Sequence, residues 1–166
     1  MVKAGVITVS DKGSRGERVD QGGPLITEII SALGWETEAA TIVPDEQELI
    51  EQKLNEYADG LKLDVIFTTG GTGFAPRDVT PEATLAVVER LAPGIPEAMR
   101  AESMKITPKA MLSRAAAGIR GRTLIINLPG SPKGVKECLD IILPGLGHGI
   151  EVLRGNTGDC AEKIKV

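Results

Sequence analysis

The sequence is poor in histidine, cysteine and aromatic residues, and each shortage removes a class of function. His148 is the single histidine in 166 residues, and the two cysteines, Cys138 and Cys160, lie too far apart for a CxxC pair. No zinc constellation can be assembled from that inventory, and hydrolysis by a histidine-activated serine is not expected. Cys138 falls in the helical pattern of KECLDIIL and reads as core. Aromatic residues make up 2% of the chain, so few rings are available for stacking on bases. Lys and Arg number 19 against 23 Asp and Glu, a net charge of -4 with no block of one sign. A nucleic-acid partner is therefore not expected. No apolar run approaches the roughly 20 residues of a membrane helix. The N-terminal MVKAGVITVSDKG reads as a strand and not as a leader. The expectation is a cytoplasmic protein with no membrane contact. Two familiar nucleotide motifs are also missing: GGTGFAPR lacks the GxxxxGK[ST] spacing, and Gly71-Thr72-Gly73 runs into Pro76 where a dinucleotide fingerprint needs a third small residue.

What is present is an ordinary globular composition, 42% hydrophobic and 25% charged, with length for one core. One domain is expected over residues 1–154, with 155–166 as a polar tail. KAGVITVS (3–10) reads as a buried strand, followed by a polar, glycine-rich stretch to Gly23. Pro24 opens a helix with Leu25, Ile26, Ile29, Ile30 and Leu33 on its inner side and Gly34 as its stop. A strand over 37–43 follows. Asp45 then precedes a helix with Glu48 at capping-box distance and Ile50, Leu54, Tyr57 and Leu61 facing in. LDVIFTT (63–69) is a further strand. Thr80 can cap a helix with Pro81 at its first position and Leu85, Val88 and Leu91 inward. Further helices are expected from Pro96, over 109–119, and over 133–143 with Pro144 as terminator, and RTLIINL (122–128) as a strand. This alternation predicts an α/β fold, a mainly parallel sheet covered by helices on both faces.

In such folds ligands bind beyond the carboxyl ends of the strands. Three loops qualify: SDKGSRG after the first strand, GGTGFAPRDVTPE after the third and PGSPK after the last. Gly70, Gly71 and Gly73 let backbone N–H groups approach phosphate oxygens, and the helix that follows adds the positive end of its dipole. Beside that anion-binding turn stand Asp78 and Glu82, four residues apart across a helix start. Acids facing a polyphosphate repel it unless a divalent cation intervenes, and Mg²⁺ accepts one or two carboxylates together with phosphate oxygens. The loop is thus expected to hold a metal-complexed nucleotide. Dipole stabilisation alone would also place acids at a helix N-terminus, at ~0.3–1 kcal/mol each. The concentration of Arg77, Asp78, Thr80 and Glu82 after the glycines favours the metal. For Asp45, the residues by themselves favour a helix cap.

VSDKGSRGERVDQGGP, IVPDE, TTGGTGFAPRDVTPEAT and NLPGSPKGVKECLD, in this order and spacing, resemble the MogA/MoaB family of molybdenum-cofactor biosynthesis proteins over residues 3 to about 154. The chain is similar also to the molybdopterin-adenylylating domains of plant and animal proteins, including the G domain of gephyrin. The resemblance implies a three-layer α/β/α sandwich, a homo-oligomer with the trimer favoured, and adenylyl transfer from ATP to molybdopterin with Mg²⁺ as cofactor. It also implies a separate MoeA-type partner that inserts molybdate. The RDVTPE and NLPGSPK segments lie on the MogA side, whereas a MoaB-type protein that binds molybdopterin without transfer is the alternative. Carried onto this chain, the resemblance gives Asp78 to the metal with Glu82 and Asp45 in support. It gives the backbone of Gly70, Gly71, Thr72 and Gly73 to phosphates, Ser10, Asp11, Ser14, Gly130, Ser131 and Lys133 to the pterin and its phosphate, and adds Arg77, Thr80 and Pro129 to the binding residues, with the division of the loops between pterin and nucleotide left open.

Overall fold

The computed structural model describes residues 1–155. Most of the expected tail, with Cys160, lies outside the described residues. Six strands form one sheet in the order β2-β1-β3-β6-β5-β4. These are β1 (Lys3–Val9), β2 (Glu36–Val43), β3 (Val65–Thr69), β4 (Arg90–Leu91), β5 (Ala117–Arg120) and β6 (Thr123–Leu128). The first four in that order are mutually parallel, while β5 runs antiparallel to β6 and β4 to β5. Across the centre the register aligns Ile7 with Thr68 and Thr68 with Asn127.

The central strands β3 and β6 are buried along their whole length, as continuous apolar runs must be when helices cover both faces. On one face lie α2 (Gly22–Ser31), α5 (Gly94–Met104) and α6 (Pro132–Leu153). Their Ile26, Ile30, Met99, Leu139 and Leu146 pack with Val6, Phe67 and Ile126. On the other lie α3 (Gln47–Asn55), the π-helical turn Glu56–Gly60 that continues it, and α4 (Thr80–Val87). There Ile50, Leu54, Tyr57, Ala83 and Val87 meet Ile7, Ile66 and Ile125. The three-layer α/β/α arrangement is the one expected. No helix among the described residues is long and apolar enough to cross a membrane.

Several local expectations are overturned. Residues 109–119 are not a helix: a 3₁₀ turn, Pro108–Leu112, gives way to β5. The alanines favour helix, but sheet pairing outweighs that preference. Gly118 marks the reason, since a Cβ there would lie 2.8 Å from the Arg90 carbonyl oxygen and 2.8 Å from Val88 Cγ1. Gly121, with φ +56°, and Arg122 then make the two-residue turn into β6, a glycine-led hairpin signature. Pro144 does not end α6, which continues to Leu153. A proline removes only one helical hydrogen bond, and Leu139, Ile142, Leu146 and Ile150 keep one buried stripe across it.

In α4 the inward residues are Ala83, Thr84 and Val87, whereas Leu85 and Leu91 are 50% and 62% exposed. Leu85 lies within α4 on the face away from those residues, and Leu91 falls in β4, after Val88 has turned extended. Leu61 is also exposed, because the π turn shifts the helix phase by a residue. Leu33 is exposed just past the end of α2.

Candidate functional site

The three expected loops converge at the carboxyl ends of β1, β3 and β6, joined by the segment after β2. Ser10 Oγ accepts the Gly13 N–H at 3.0 Å and caps the short turn α1 (Asp11–Ser14). Ser14 donates its hydroxyl to the Asp11 carbonyl at 2.8 Å. Asp11 and Asp45 exchange bonds: the Asp11 N–H reaches Asp45 Oδ2 at 2.8 Å, and the Asp45 N–H reaches Asp11 Oδ1 at 3.0 Å. Asp45 is therefore not the cap of α3. That position belongs to Glu46, whose side chain makes no capping bond, so the box with Glu48 does not form. The Arg77 guanidinium clasps Asp11 with Nε at 2.6 Å from Oδ2 and Nη2 at 3.0 Å from Oδ1. One aspartate thus ties the loops after β1, β2 and β3 together.

The glycine turn is shaped by backbone geometry closed to other residues. Gly70 and Gly71 have φ of +98° and +67°. Thr80 does not cap α4, whose N-cap is Val79. It closes the turn instead, donating Oγ1 to the Gly70 carbonyl at 2.9 Å and its N–H to the Gly71 carbonyl at 3.1 Å. Asp78 folds back on the same turn, with Oδ2 accepting the Ala75 N–H at 3.0 Å. A Cβ on Gly73 would lie 2.9 Å from Asp78 Oδ2, and one on Gly71 would lie 3.2 Å from Asp45 Oδ1. Both carboxylates therefore rest against the glycine backbone. On the third loop Ser131 Oγ accepts the Gly134 N–H at 3.1 Å and caps α6. Pro129 accepts the Thr69 hydroxyl at 2.8 Å.

Two cavities open on either side of the contact between the 70–73 and 129–131 loops. The larger, about 720 Å³, is lined by Ser10, Asp45, Gly70, Gly71, Asp78, Gly130 and Ser131 among the expected residues. The smaller, about 510 Å³, receives Thr72, Gly73, Pro129, Ser131 and Lys133, with apolar walls from Met99, Ile106 and Leu112. Ser131 lines both. Asp11, Ser14, Arg77, Thr80 and Glu82 line neither. Glu82 is engaged by Arg114, whose Nη1 pairs with its Oε1.

Reasoning from sequence missed Arg114, which lay inside the stretch read as helix. It also missed Arg18 and Asp20, which line the larger cavity. Asp20 accepts the Thr8 hydroxyl at 2.7 Å and the Gly23 N–H at 3.1 Å. The signal was available in DQGG, an acid three residues before a helical N–H.

Electrostatically the site is a cluster of acids with too little positive charge. Burial pushes the Asp45 carboxyl above its usual range, and the charges of Asp11 and Asp78 add to the rise against the bond from the Asp11 N–H and the charge of Arg77. The Arg77 bond holds Asp11 below its usual range, and the bond to Arg114 does the same for Glu82. Among the described residues no group of three or more His, Cys, Asp or Glu side chains could hold a metal unaided. The two carboxylates resting against the glycine turn, Asp45 and Asp78, fit Mg²⁺, which takes one or two protein carboxylates and completes its shell with phosphate oxygens and water.

The raised Asp45 carboxyl gives a prediction. An acid whose folded pKa exceeds its unfolded value contributes stability that is complete below the unfolded pKa and is lost as pH rises through the folded one. At neutral pH the ionised Asp45 therefore costs stability. Asp45→Asn keeps an oxygen for the Asp11 N–H and removes the charge. Its melting temperature should exceed that of the parent by roughly 2 °C at neutral pH, after solvent screening. The gain should close near about pH 4, where the parent carboxyl is protonated. Melts across that range read the effect.

The family model described as "Probable molybdopterin binding domain" matches residues 5–148. The molybdopterin adenylyltransferase of Helicobacter pylori J99 is 42% identical, over 98% of this chain and 93% of its own length. That of Escherichia coli K12 is 45% identical, over 90% of this chain and 80% of its own. The crystal structure of the molybdopterin biosynthesis enzyme MoaB from Thermus thermophilus superposes with a TM-score of 0.89 at 50% identity, covering 93% of this chain and 98% of that one. With the family model spanning the sheet and all three loops, the chain belongs to the molybdopterin-binding domain family of molybdenum-cofactor biosynthesis proteins.

Proposed function

We propose that the protein is a molybdopterin adenylyltransferase, transferring AMP from Mg²⁺-complexed ATP to molybdopterin with release of pyrophosphate. The observation that carries this reading is the pair Asp45 and Asp78 set against the glycine turn at the floor of one cavity. Relatives of similar length named for this reaction support it. The terminal phosphate of molybdopterin attacks the α-phosphorus of ATP in line, and the bond to the bridging oxygen of the β-phosphate breaks. The attacking oxygen is already anionic near neutral pH, so no general base is needed. Catalysis then rests on positioning and charge neutralisation.

Each residue has a share in that work. The backbone N–H groups of Gly71 to Gly73 hold phosphate oxygens, while the Gly70 N–H stays bonded to the Leu128 carbonyl, and the N-terminus of the 22-residue α6 turns its dipole toward the same place. Asp78 and Asp45 would hold the cation, which would offset the charge of the triphosphate and of the departing pyrophosphate. Ser131, lining both cavities, lies where the two substrates would meet.

Purified protein given molybdopterin, ATP and Mg²⁺ should form adenylyl-molybdopterin and pyrophosphate, and excess chelator should stop it. Pterin binding without pyrophosphate release would instead make it a binding protein, the reading that similarity to a structure named MoaB keeps open. The proposal extends to a cytoplasmic homotrimer that passes its product to a MoeA-type molybdate-insertion partner. Met104, Ile106, Met111 and Leu112, exposed around the end of α5 and the following 3₁₀ turn, give apolar surface for subunits to cover. Light scattering should return three times the 17.5 kDa chain mass, and a monomer mass removes this part of the reading.

A further inference from the structure

We propose that Arg114 is a positioning residue for adenylyl transfer, setting the place of the Asp78 carboxylate from outside both cavities, with Glu82 as its counter-ion. The inference rests on the adenylyltransferase reading of the site. Arg114 Nε donates to the Gly73 carbonyl at 2.7 Å, and Nη2 donates to the Asp78 carbonyl at 2.7 Å. One planar guanidinium therefore pins both ends of the exposed loop 73–78. The Asp78 side chain and N–H make local bonds, its N–H to the Ala75 carbonyl at 2.9 Å and its Oδ2 to the Ala75 N–H, and the neighbouring Arg77 ties the loop a third time through Asp11.

The remaining guanidinium nitrogen pairs with Glu82 Oε1, and Nη2 also lies 3.4 Å from Oε2. Glu82 is thereby drawn toward Arg114, and it lines neither cavity. Arg114 is itself held in place. Arg100 Nη1 donates to the carbonyls on either side of it, Ser113 at 3.2 Å and Ala115 at 3.0 Å. Its backbone N–H donates to the Thr72 carbonyl at 2.9 Å, a bond that any side chain at 114 retains. Ser113 lines the smaller cavity and Asp78 the larger, so the brace fixes the two cavities relative to each other. A lysine ammonium cannot hold two carbonyls and a carboxylate in this fork.

The test compares Arg114→Ala, Arg114→Lys and Glu82→Gln with the parent by steady-state kinetics and by amide hydrogen exchange. Arg114→Ala should lower kcat about 10²-fold, the cost of a misplaced reacting group, with KM for Mg-ATP changed by less than about threefold, the split expected when transition-state positioning alone is lost. Exchange should quicken in residues 73–80 and stay slow in β3 and β6. Millimolar guanidinium should restore part of the rate of Arg114→Ala, whereas Arg114→Lys should stay impaired. Glu82→Gln should lower kcat severalfold with an unchanged Mg²⁺ dependence.

Full kcat in Arg114→Ala overturns the proposal, as does faster exchange spread evenly through the core strands, which would mark a merely structural role. A Glu82→Gln variant needing tenfold more Mg²⁺ makes Glu82 a metal ligand and overturns it too. If the parent forms no adenylyl-molybdopterin, it is the adenylyltransferase reading that fails. The brace then stands or falls on whether exchange quickens in 73–80 alone.

Discussion

Asp78→Asn should fold like the parent and transfer AMP about 10²–10³-fold more slowly, the loss typical of removing one preorganised electrostatic group from a reacting site. The substitution isolates charge from shape. Asparagine can present an oxygen where Asp78 Oδ2 now accepts the Ala75 N–H at 3.0 Å, and it adds no bulk against Gly73. The backbone N–H to Ala75 and the brace from Arg114 to the Asp78 carbonyl do not involve the carboxylate. What disappears is one negative charge facing Asp45. Two readouts should move together. The Mg²⁺ concentration for half-maximal rate should rise as a ligand is lost. The Asp45 carboxyl, raised partly by Asp78, should titrate lower, which carbon-detected NMR can follow. An Asp78→Asn enzyme with parental turnover and Mg²⁺ dependence would remove the cation from this carboxylate.

Much of this site was legible before any coordinates because its chemistry is local in sequence. Gly70, Gly71 and Gly73 announced a turn needing positive φ and close approach, and the acids beside it posed an electrostatic conflict. Convergence of three loops followed from the α/β alternation, since parallel strands deliver their carboxyl ends to one edge. What could not be read was pairwise and long-range. Asp45 looked like a helix cap because a cap has the same local pattern as an acid bonded to a residue 34 positions away. Arg114 was hidden for a stronger reason, since its bonds to Gly73 and Asp78 span 41 and 36 positions. The alanines around it signal helix until β5 pairs with β6. Asn127 shows the same limit. It sits in an apolar run, yet it is buried and donates to the Thr68 and Thr84 hydroxyls at 3.0 and 2.8 Å, fastening β6 to β3 and α4 beneath the glycine turn.

Gly70→Ala is expected to be severely damaging, because two independent penalties fall on one Cβ. With φ at +98° an alanine is strained wherever the methyl points, at ~1–3 kcal/mol. The methyl would also run into the Val9 carbonyl oxygen at the end of β1, and overpacking adds a further ~1–3 kcal/mol. Relief is blocked on every side. The Gly70 N–H is bonded to the Leu128 carbonyl at 3.3 Å, its carbonyl accepts Thr80 Oγ1, and a Cβ on Gly130 would already lie 3.4 Å from Gly70 Cα. The chain can accommodate the methyl only by parting β1 from β3 at the site edge or by rotating the Gly70 peptide. Either movement displaces the N–H groups that would hold phosphate. Urea melts should show a loss of about 2–6 kcal/mol, the sum of the two penalties, and the folded fraction should lose Mg-ATP affinity as well as rate. Gly60→Ala serves as the comparison, since that glycine has ordinary φ and open space around it, and it should be close to neutral. If Gly70→Ala melts and binds like Gly60→Ala, the glycine turn is not the rigid cradle on which phosphate binding here depends.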